Sequence, residues 1–177
     1  MPAGPARPSA QPGYRGRVQI TEGGLDDPRV VRFLGEHLDQ MREISPPESV
    51  HALDLDGLRA PGMRFWSVWA DASDDAPGGP GTLLATAALK THDAAHGELK
   101  SMRTAAAARG RGVASTLLLH VLDAAADAGM RRVSLETGAE PFFEAARRMY
   151  RRHGFVECGP FASYVLDPNS VFMTREV

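Results

Sequence analysis

The stretch Glu98-Leu-Lys-Ser-Met-Arg-Thr-Ala-Ala-Ala-Ala-Arg-Gly-Arg-Gly-Val-Ala-Ser-Thr-Leu-Leu118 organises the rest of the chain. It begins with a predicted strand, continues through four alanines and an Arg-Gly-Arg-Gly turn, and ends in apolar residues at helical spacing. A glycine-rich turn between a strand and a helix leaves backbone N–H groups free at the positive end of the helix dipole. The pattern therefore predicts a site for a phosphate or pyrophosphate, although ordinary connectors share it.

Composition limits the classes of protein to which the chain could belong. With 177 residues, 43% of them hydrophobic, it is long enough for one domain with its own core. The formal net charge of −2 disfavours binding to nucleic acid or membranes through bulk electrostatics. The single cysteine, Cys158, excludes an internal disulfide and fits a reducing compartment. No segment has the pattern of a membrane span or a signal peptide, so we expect a cytoplasmic protein that binds neither nucleic acid nor membrane.

The order of predicted elements indicates an α/β domain. Residues 1–13 are rich in Pro, Ala and Gly and are predicted to be a disordered tail, and residues 14–177 form one domain. Strands are predicted at 15–21, 64–70, 82–90, 98–104, 133–137, 155–161 and 170–175, and helices at 28–43, 53–58, 113–128 and 141–153. The segments at 45–51, 71–81 and 92–97 are predicted to be loops or turns. This order predicts a mixed sheet with helices on both faces.

The last predicted helix has two faces. Its inward face is predicted to consist of Phe142, Ala145, Ala146, Met149 and Tyr150. Its outward face is predicted to consist of the four arginines at 147, 148, 151 and 152.

Two signatures in this order resemble the GNAT superfamily of N-acetyltransferases. The run Arg109-Gly-Arg-Gly-Val-Ala114 matches the family's pyrophosphate signature, and Tyr150-Arg-Arg-His-Gly-Phe155 matches its later Tyr-x-x-x-Gly-Phe signature. The runs at 96–104, 135–138 and 167–174 resemble a bacterial subgroup of YsnE-like acetyltransferases. The resemblance covers residues 14–177 and implies a mixed, mostly antiparallel sheet of about seven strands.

The resemblance implies that acetyl-CoA is the cofactor and that a small-molecule amine accepts the acetyl group. The backbone implied to pair with the pantetheine arm, as an added strand would, is that of Met102, Arg103 and Thr104. The backbone implied to hold the pyrophosphate is that of Arg109, Gly110, Arg111, Gly112, Val113 and Ala114. Many members carry Asn where this chain has Phe143, seven residues before Tyr150, so the contact made by that Asn is in doubt.

Three residues are candidates for proton transfer. Glu98 is the first candidate for the general base, since histone-type members carry a catalytic glutamate at this offset from the pyrophosphate signature. Glu136 is the rival, on a neighbouring strand. The alternative for either residue is a solvated or ion-paired carboxylate at a strand edge, without a catalytic role. Tyr150 is implied to be the acid that protonates the departing thiolate, the alternative being a core tyrosine.

Two further residues are candidates for binding the acceptor. Lys100 would bind a carboxylate on the acceptor if it faces the cleft, and it would otherwise be a surface charge. His51 is a candidate ligand in the loop that follows the first helix. No His, Cys or carboxylate group has metal-ligand spacing, so no metal is expected.

Two other properties of the chain stay open at the level of sequence. The alternative function is a catalytically silent module that binds acyl-CoA as a sensor or binds a partner. The fold is also compatible with a homodimer that forms through the last strands.

Overall fold

The computed structural model describes residues 18–71 and 81–177. The predicted tail at 1–13 and the predicted loop at 71–81, except for its two ends, lie outside these residues. The strands are β1 (Val18–Glu22), β2 (Met63–Ala70), β3 (Leu83–Asp93), β4 (His96–Thr104), β5 (Arg132–Gly138), β6 (Val156–Cys158) and β7 (Ser170–Glu176). The helices are α1 (Pro28–Ile44), α2 (Leu55–Leu58), α3 (Val113–Asp127) and α4 (Glu144–Arg152), with 3-10 turns at Pro47–Ser49, Ala106–Ala108 and Pro141–Phe143.

The strands form one seven-stranded sheet in the order β1-β2-β3-β4-β5-β7-β6. Its neighbours pair antiparallel except for β4 and β5, which are parallel. The predicted mixed, mostly antiparallel sheet of about seven strands is therefore confirmed.

The pairing of β4 with β5 is incomplete. It runs from His96↔Arg132 to Leu99↔Leu135 and stops there, although both strands continue. Beyond this point β4 stays paired with β3 and β5 stays paired with β7. The sheet consequently opens into a fork between the ends of β4 and β5, and backbone groups on the inner edges of the fork have no strand partner across it.

A bulge in β4 lies inside this fork. Ala88 pairs with Lys100 and Thr86 pairs with Arg103, so β4 holds one more residue than β3 between the two pairs. The bulged residue Ser101 has φ +50°, and its carbonyl accepts a 3.3 Å hydrogen bond from the Thr86 hydroxyl. Because Ala88 and Thr86 lie on the same face of β3, the bulge places Lys100 and Arg103 on one face of β4.

The helices cover both faces of the sheet, as predicted. Val30 and Leu34 of α1 and Leu58 of α2 pack with Phe65 and Ala88 on one face. The larger core on the other face includes Leu117, Leu118 and Val121 of α3, Met149 and Tyr150 of α4, and Leu99, Leu135 and Met173 of the sheet. Leu117 has no exposed surface, so replacing it with Ala would cost about 2–5 kcal/mol.

Local chemistry explains the start of α1. The Asp27 side chain caps the helix by accepting a hydrogen bond from the Arg29 N–H at 2.8 Å, and Pro28 occupies the first helical position. The helix ends at Ile44, one residue past the predicted Glu43.

The prediction for the last helix was wrong in part. Residues Pro141–Phe143 form a 3-10 turn and the α-helix begins at Glu144, so the change from three to 3.6 residues per turn shifts the faces. Phe142 is 44% exposed and Ala145 is also exposed, although both were expected inward. Arg147, expected outward, is buried and donates to the carbonyls of Gly138 and Glu140.

Two predicted segments have different lengths in the structure. The predicted strand at 155–161 is restricted to Val156–Cys158. The predicted turn at 92–97 is a tighter turn at residues 94–95, with His92 in β3 and His96 in β4. These corrections bring both histidines onto strands that border the candidate site.

Candidate active site

Strand alternation gathers polar side chains on the α1–α2 face of the sheet, next to the fork. His96, Glu98 and Lys100 alternate along β4, and Glu98 pairs with Ser134 of β5. Glu136 follows on the same face of β5 and pairs with Phe172 of β7. We call the region of this face around Glu98, Lys100, Glu136 and Phe172 the acceptor chamber. Leu99 and Leu135, on the opposite face, belong to the core under α3.

Glu98 is the centre of a buried hydrogen-bond network in the acceptor chamber. Its side chain is 2% exposed. Oε1 accepts from Lys100 Nζ at 3.0 Å and from the Tyr164 hydroxyl at 2.6 Å, and Oε2 lies 2.8 Å from Nε2 of His92. Lys100 Nζ also donates to the Tyr164 hydroxyl at 2.8 Å. Both carboxylate oxygens of Glu98 are therefore engaged.

These partners determine the protonation of Glu98. Burial raises the pKa of the carboxyl, but the charge of Lys100 and the hydrogen bonds from Tyr164, Lys100 and His92 outweigh burial. The net result is a pKa below the ordinary value. Glu98 is thus a stabilised carboxylate with low affinity for a proton.

Glu136 has the opposite environment. It is the first residue of β5 beyond the last pair with β4, at the apex of the fork. Burial raises its pKa, while the hydrogen bond from Ser170 and the charges of His51 and Lys100 act in the other direction without cancelling burial. Oε1 accepts a 2.7 Å hydrogen bond from the Ser170 hydroxyl. Within residues 18–71 and 81–177, Oε2 has no hydrogen-bond partner.

Tyr150 lies on α4, on the opposite face of the sheet from the acceptor chamber. It is 6% exposed and its ring packs 5.7 Å from the ring of Phe155. Burial, with a further effect of the Glu136 charge, raises the pKa of the hydroxyl. In the part of the chain that the structure describes, the hydroxyl makes no hydrogen bond.

Lys100 is not the surface charge that one reading of the sequence predicted. Its side chain is 10% exposed and lies against both Glu98 and Tyr164. His51 also reaches the chamber, where its ring meets the ring of Tyr164 edge-on at 5.0 Å. The structure therefore places all four predicted residues of this side, Glu98, Glu136, Lys100 and His51, around one space.

Two loops form the wall of the chamber on the side away from the sheet. The segment after α1 is tied to the end of the 159–169 loop by a 3.3 Å hydrogen bond from the Asn169 amide to the Ser49 hydroxyl. The Ser45 hydroxyl donates to Glu140 at 3.1 Å. Phe161 and Tyr164 of the long loop pack against Phe172 at 6.0 and 5.4 Å between ring centroids.

Sequence reasoning missed Tyr164 and Ser170. Tyr164 lies in a loop without periodicity, so no pattern pointed to its contact with a strand 66 residues earlier. Ser170 belongs to the run 167–174 that resembles the YsnE-like subgroup, which is the one signal that could have drawn attention to it.

The start of α3 fits a phosphate group. Its N-cap is Gly112, which has φ +87° and no side chain to cap the first turn, and that turn contains no acidic residue. Gly110 also has positive φ, and a Cβ built on it would meet no atom within 4 Å. Arg109 and Gly110 are exposed. Open backbone N–H groups, the helix dipole and nearby arginines together suit the pyrophosphate of acetyl-CoA.

The fork edge also fits the amide-bearing arm of that molecule. Met102–Thr104 follow the last pair of β4 with β5, while β4 continues to pair with β3. Their backbone therefore faces the fork on the side away from β3. The Met102 side chain packs against the α3 core, whereas Arg103 extends to α1. On the facing strand Phe143 packs directly on Gly138, where an added Cβ would lie 2.2 Å from the Phe143 ring. Phe143 therefore packs its ring on the backbone of β5.

The described residues provide neither of two other kinds of site. Within residues 18–71 and 81–177, no three His, Cys, Asp or Glu side chains are grouped to hold a metal ion. In the same ranges no helix has the length and apolarity needed to cross a bilayer.

Comparisons with known proteins agree with this geometry. The acetyltransferase (GNAT) family model matches residues 31–155. The chain is 48% identical over 160 residues to YsnE, an uncharacterized N-acetyltransferase of Bacillus subtilis, covering 90% of this chain and 100% of the relative. It is 46% identical to YedL, an uncharacterized N-acetyltransferase of Escherichia coli, covering 88% and 92%. A GNAT acetyltransferase of Elizabethkingia anophelis solved with acetyl-CoA bound superposes with a TM-score of 0.61 at 13% identity, covering 90% of this chain and 98% of that one.

Proposed function

The chain belongs to the GNAT family of acetyltransferases, and on this premise we propose that it acetylates a small-molecule amine by direct attack, with Glu136 as base and Tyr150 as acid. It is an N-acetyltransferase with acetyl-CoA as its co-substrate. Acetyl-CoA supplies the acetyl group as a thioester, whose carbonyl carbon the amine nitrogen attacks while the C–S bond breaks. The observation that carries the proposal is the position of Glu136 at the apex of the fork, partly buried and with one oxygen that has no hydrogen-bond partner among the described residues.

The fork lets two reactants meet from opposite faces of the sheet. The backbone of Met102–Thr104 and the start of α3 would hold the pantetheine arm and the pyrophosphate on the α3–α4 side. The amine would enter from the acceptor chamber on the α1–α2 side. Such an arrangement would orient both reactants for direct attack.

Glu136 suits the role of base better than Glu98 does. An amine is protonated in neutral water and must lose a proton before it attacks, so the base has to be a carboxylate with appreciable proton affinity. Burial raises the pKa of Glu136, and its Oε2 is available. Glu98 has both oxygens engaged and a lowered pKa. This assignment reverses the order of the two carboxylates expected from the sequence.

Tyr150 suits the role of acid. Its raised pKa keeps the hydroxyl protonated at neutral pH, and the hydroxyl donates to no other described residue. As the C–S bond breaks, the hydroxyl would give its proton to the departing thiolate sulfur. The ammonium group loses one proton to Glu136 before the attack. The second proton, which leaves the nitrogen as the amide forms, would restore the Tyr150 hydroxyl, and Glu136 then releases its proton to water.

Glu98 would act as a positioning residue. It holds the Lys100 ammonium and the Tyr164 hydroxyl in fixed places at the wall of the chamber. Its negative charge also favours the approach of an ammonium group, while its engaged oxygens leave proton removal to Glu136.

Turnover of thioester with a broad panel of amines tests the proposal. We expect release of free thiol from acetyl-CoA that depends on the amine, and an amide product detected by mass spectrometry. A rise in melting temperature with acetyl-CoA alone, without turnover of any amine, would instead support the silent binding module. Tyr150 and Glu136 would then have no catalytic role.

A further inference from the structure

We infer that the acceptor is an amine that also carries a carboxylate, and that Arg103 of β4, beside His37 of α1, binds this carboxylate. The inference rests on the proposed function, because it assigns the substrate class of the same chamber. It is carried by an incompletely neutralised guanidinium on the chamber face of the sheet.

The position of Arg103 follows from the bulge in β4. Without the extra residue, the side chains at 100 and 103 would point to opposite faces. The bulge places Arg103 on the α1 face, where its guanidinium stacks 4.6 Å from the Phe33 ring centre and donates to the Phe33 carbonyl at 2.8 Å. Arg103 therefore lies two register steps beyond Lys100, about 7 Å along the strand.

The charge of Arg103 is poorly compensated for its degree of burial. Its side chain is 15% exposed, and its one carboxylate neighbour in the described residues is Glu36, 3.6 Å away and itself 57% exposed. Nε of Arg103 is buried without a hydrogen-bond partner in the described part of the chain. A guanidinium in such a place costs free energy unless an anion or water satisfies it.

His37, one helical turn after Phe33 on α1, provides a second unsatisfied nitrogen on this side of the sheet. Its Nδ1 is also buried and has no partner among the described residues. Burial and the charge of Arg103 lower the pKa of His37 to about 4, so its ring is neutral near pH 7. A neutral imidazole N–H and the Arg103 Nε–H together offer donors to a carboxylate without adding an acidic group that would repel it.

The two ends of the chamber then have opposite charge preferences. Glu136 lies at the fork apex, level with Lys100, whose charge Glu98 neutralises, and it favours an ammonium group, whereas Arg103 lies about 7 Å further along β4. An amino acid or a related amino-carboxylate matches both ends. A polyamine, whose charges are all positive, would bring a cation towards Lys100 and Arg103.

Paired acceptors test the inference in the wild-type enzyme. Each proteinogenic L-amino acid is compared with its own carboxamide, which keeps the amine and the side chain but loses the negative charge. We expect kcat/KM for at least one amino acid to exceed that of its carboxamide by about 10- to 100-fold. Turnover of carboxamides at equal or higher rates throughout the panel would overturn the inference while leaving the N-acetyltransferase activity established.

Variants locate the effect at Arg103. Arg103→Gln should raise KM for the preferred amino acid by about 10-fold or more with little change in kcat, and Arg103→Lys should restore part of the loss. Arg42→Gln removes an arginine of α1 that is 66% exposed and paired with Asp39, and it should change neither parameter. An equal loss for an amino acid and its carboxamide in Arg103→Gln would show a structural role only.

Binding can also be read without turnover. The Arg103 Nε–H signal in a 15N correlation spectrum of the wild-type protein, assigned by its absence in Arg103→Lys, should shift when a mixture of the L-amino acids is added together with CoA. The corresponding mixture of carboxamides should leave it in place. If no amine is turned over but this shift appears, the proposed function fails and the carboxylate site stands; if the signal does not move, the site is wrong.

Discussion

The Tyr164 hydroxyl donates a 2.6 Å hydrogen bond to the Glu98 carboxylate, joining the loop before β7 to the middle of β4 across 66 residues of chain. Lys100 donates to both partners, so a cation, an anion and a phenol form one closed network. The charge of Glu98 and its hydrogen bond also raise the pKa of Tyr164, although burial is the larger cause. This network fixes the loop wall of the acceptor chamber to the sheet.

Removing the Tyr164 hydroxyl should weaken that connection. Tyr164→Phe keeps the ring contacts with His51 and Phe172 but loses a hydrogen bond to a charged group, so unfolding free energy should fall by about 1.5–3 kcal/mol. Denaturant unfolding of Tyr164→Phe, Glu98→Gln and the double variant measures this. The losses should be non-additive, and additive losses would show that the two groups are not coupled.

Glu98 should also make stability depend on pH in the acidic range. Its folded pKa lies below the ordinary 4.5, so below about pH 4.5 the unfolded chain binds more protons than the native protein does. The stabilisation that Glu98 contributes is present above this pH and is lost as pH falls through the folded pKa. Glu98→Gln should therefore flatten the decline of melting temperature between pH 5 and 3 in matched buffers, relative to an exposed control such as Glu43→Gln. An unchanged slope would contradict the lowered pKa.

Much of the fold was readable from local sequence because local chemistry determines it. Asp27 followed by Pro28 defines the start of α1 within one residue, and Gly129 with φ +82° ends α3 as expected. The sequence did not reveal that Arg147 faces inward, because a 3-10 turn at Pro141–Phe143 changes the helical phase before α4 begins. Its burial depends on the carbonyls of Gly138 and Glu140, which the fold brings within reach.

The sequence identified residues of the candidate site but not their relative proton affinities. Resemblance pointed to Glu98 and strand position pointed to Glu136, but their relative proton affinities depend on Tyr164, Lys100 and Ser170, which tertiary packing supplies. The side of the sheet on which Arg103 lies depends on one bulged residue, Ser101. A single extra residue in a strand reverses every face after it, and propensity does not reveal its position.

The two carboxylates should differ in their effect on catalysis. Glu136→Gln should lower kcat by about 10²- to 10⁴-fold, as expected for loss of a general base, whereas Glu98→Gln should have a smaller effect on kcat. In the wild type, kcat/KM should fall as pH drops through the raised pKa of Glu136, above 4.5, because the protonated acid cannot accept a proton. Steady-state rates against pH measure this limb. If Glu98→Gln proves the more damaging of the two, the base assignment is reversed.

Tyr150→Phe should separate binding from chemistry. The substitution keeps the ring packed against Phe155 and removes the proton that the thiolate would receive, so kcat should fall by about 10²-fold or more. The dissociation constant for acetyl-CoA, measured by calorimetry, should stay within about twofold. Unchanged kcat would remove Tyr150 from the mechanism. Circular dichroism checks that the variant is folded, because unfolding would mean that the hydroxyl stabilises the structure.

Two glycines that flank α3 and share a left-handed backbone conformation offer a matched test of the cofactor site. Gly110 has φ +72° and Gly129 has φ +82°, and a Cβ on either would meet no atom within 4 Å. Ala at each position should therefore cost a similar amount, about 1–2 kcal/mol, through the left-handed conformation alone. The two glycines flank opposite ends of a 15-residue helix that is about 22 Å long.

Gly110→Ala should weaken acetyl-CoA binding about 10-fold by moving the N–H groups that hold the pyrophosphate, whereas Gly129→Ala should not. Calorimetric titration of both variants decides between the two possibilities: equal dissociation constants would mean that the turn before α3 is a connector and that the pyrophosphate binds elsewhere.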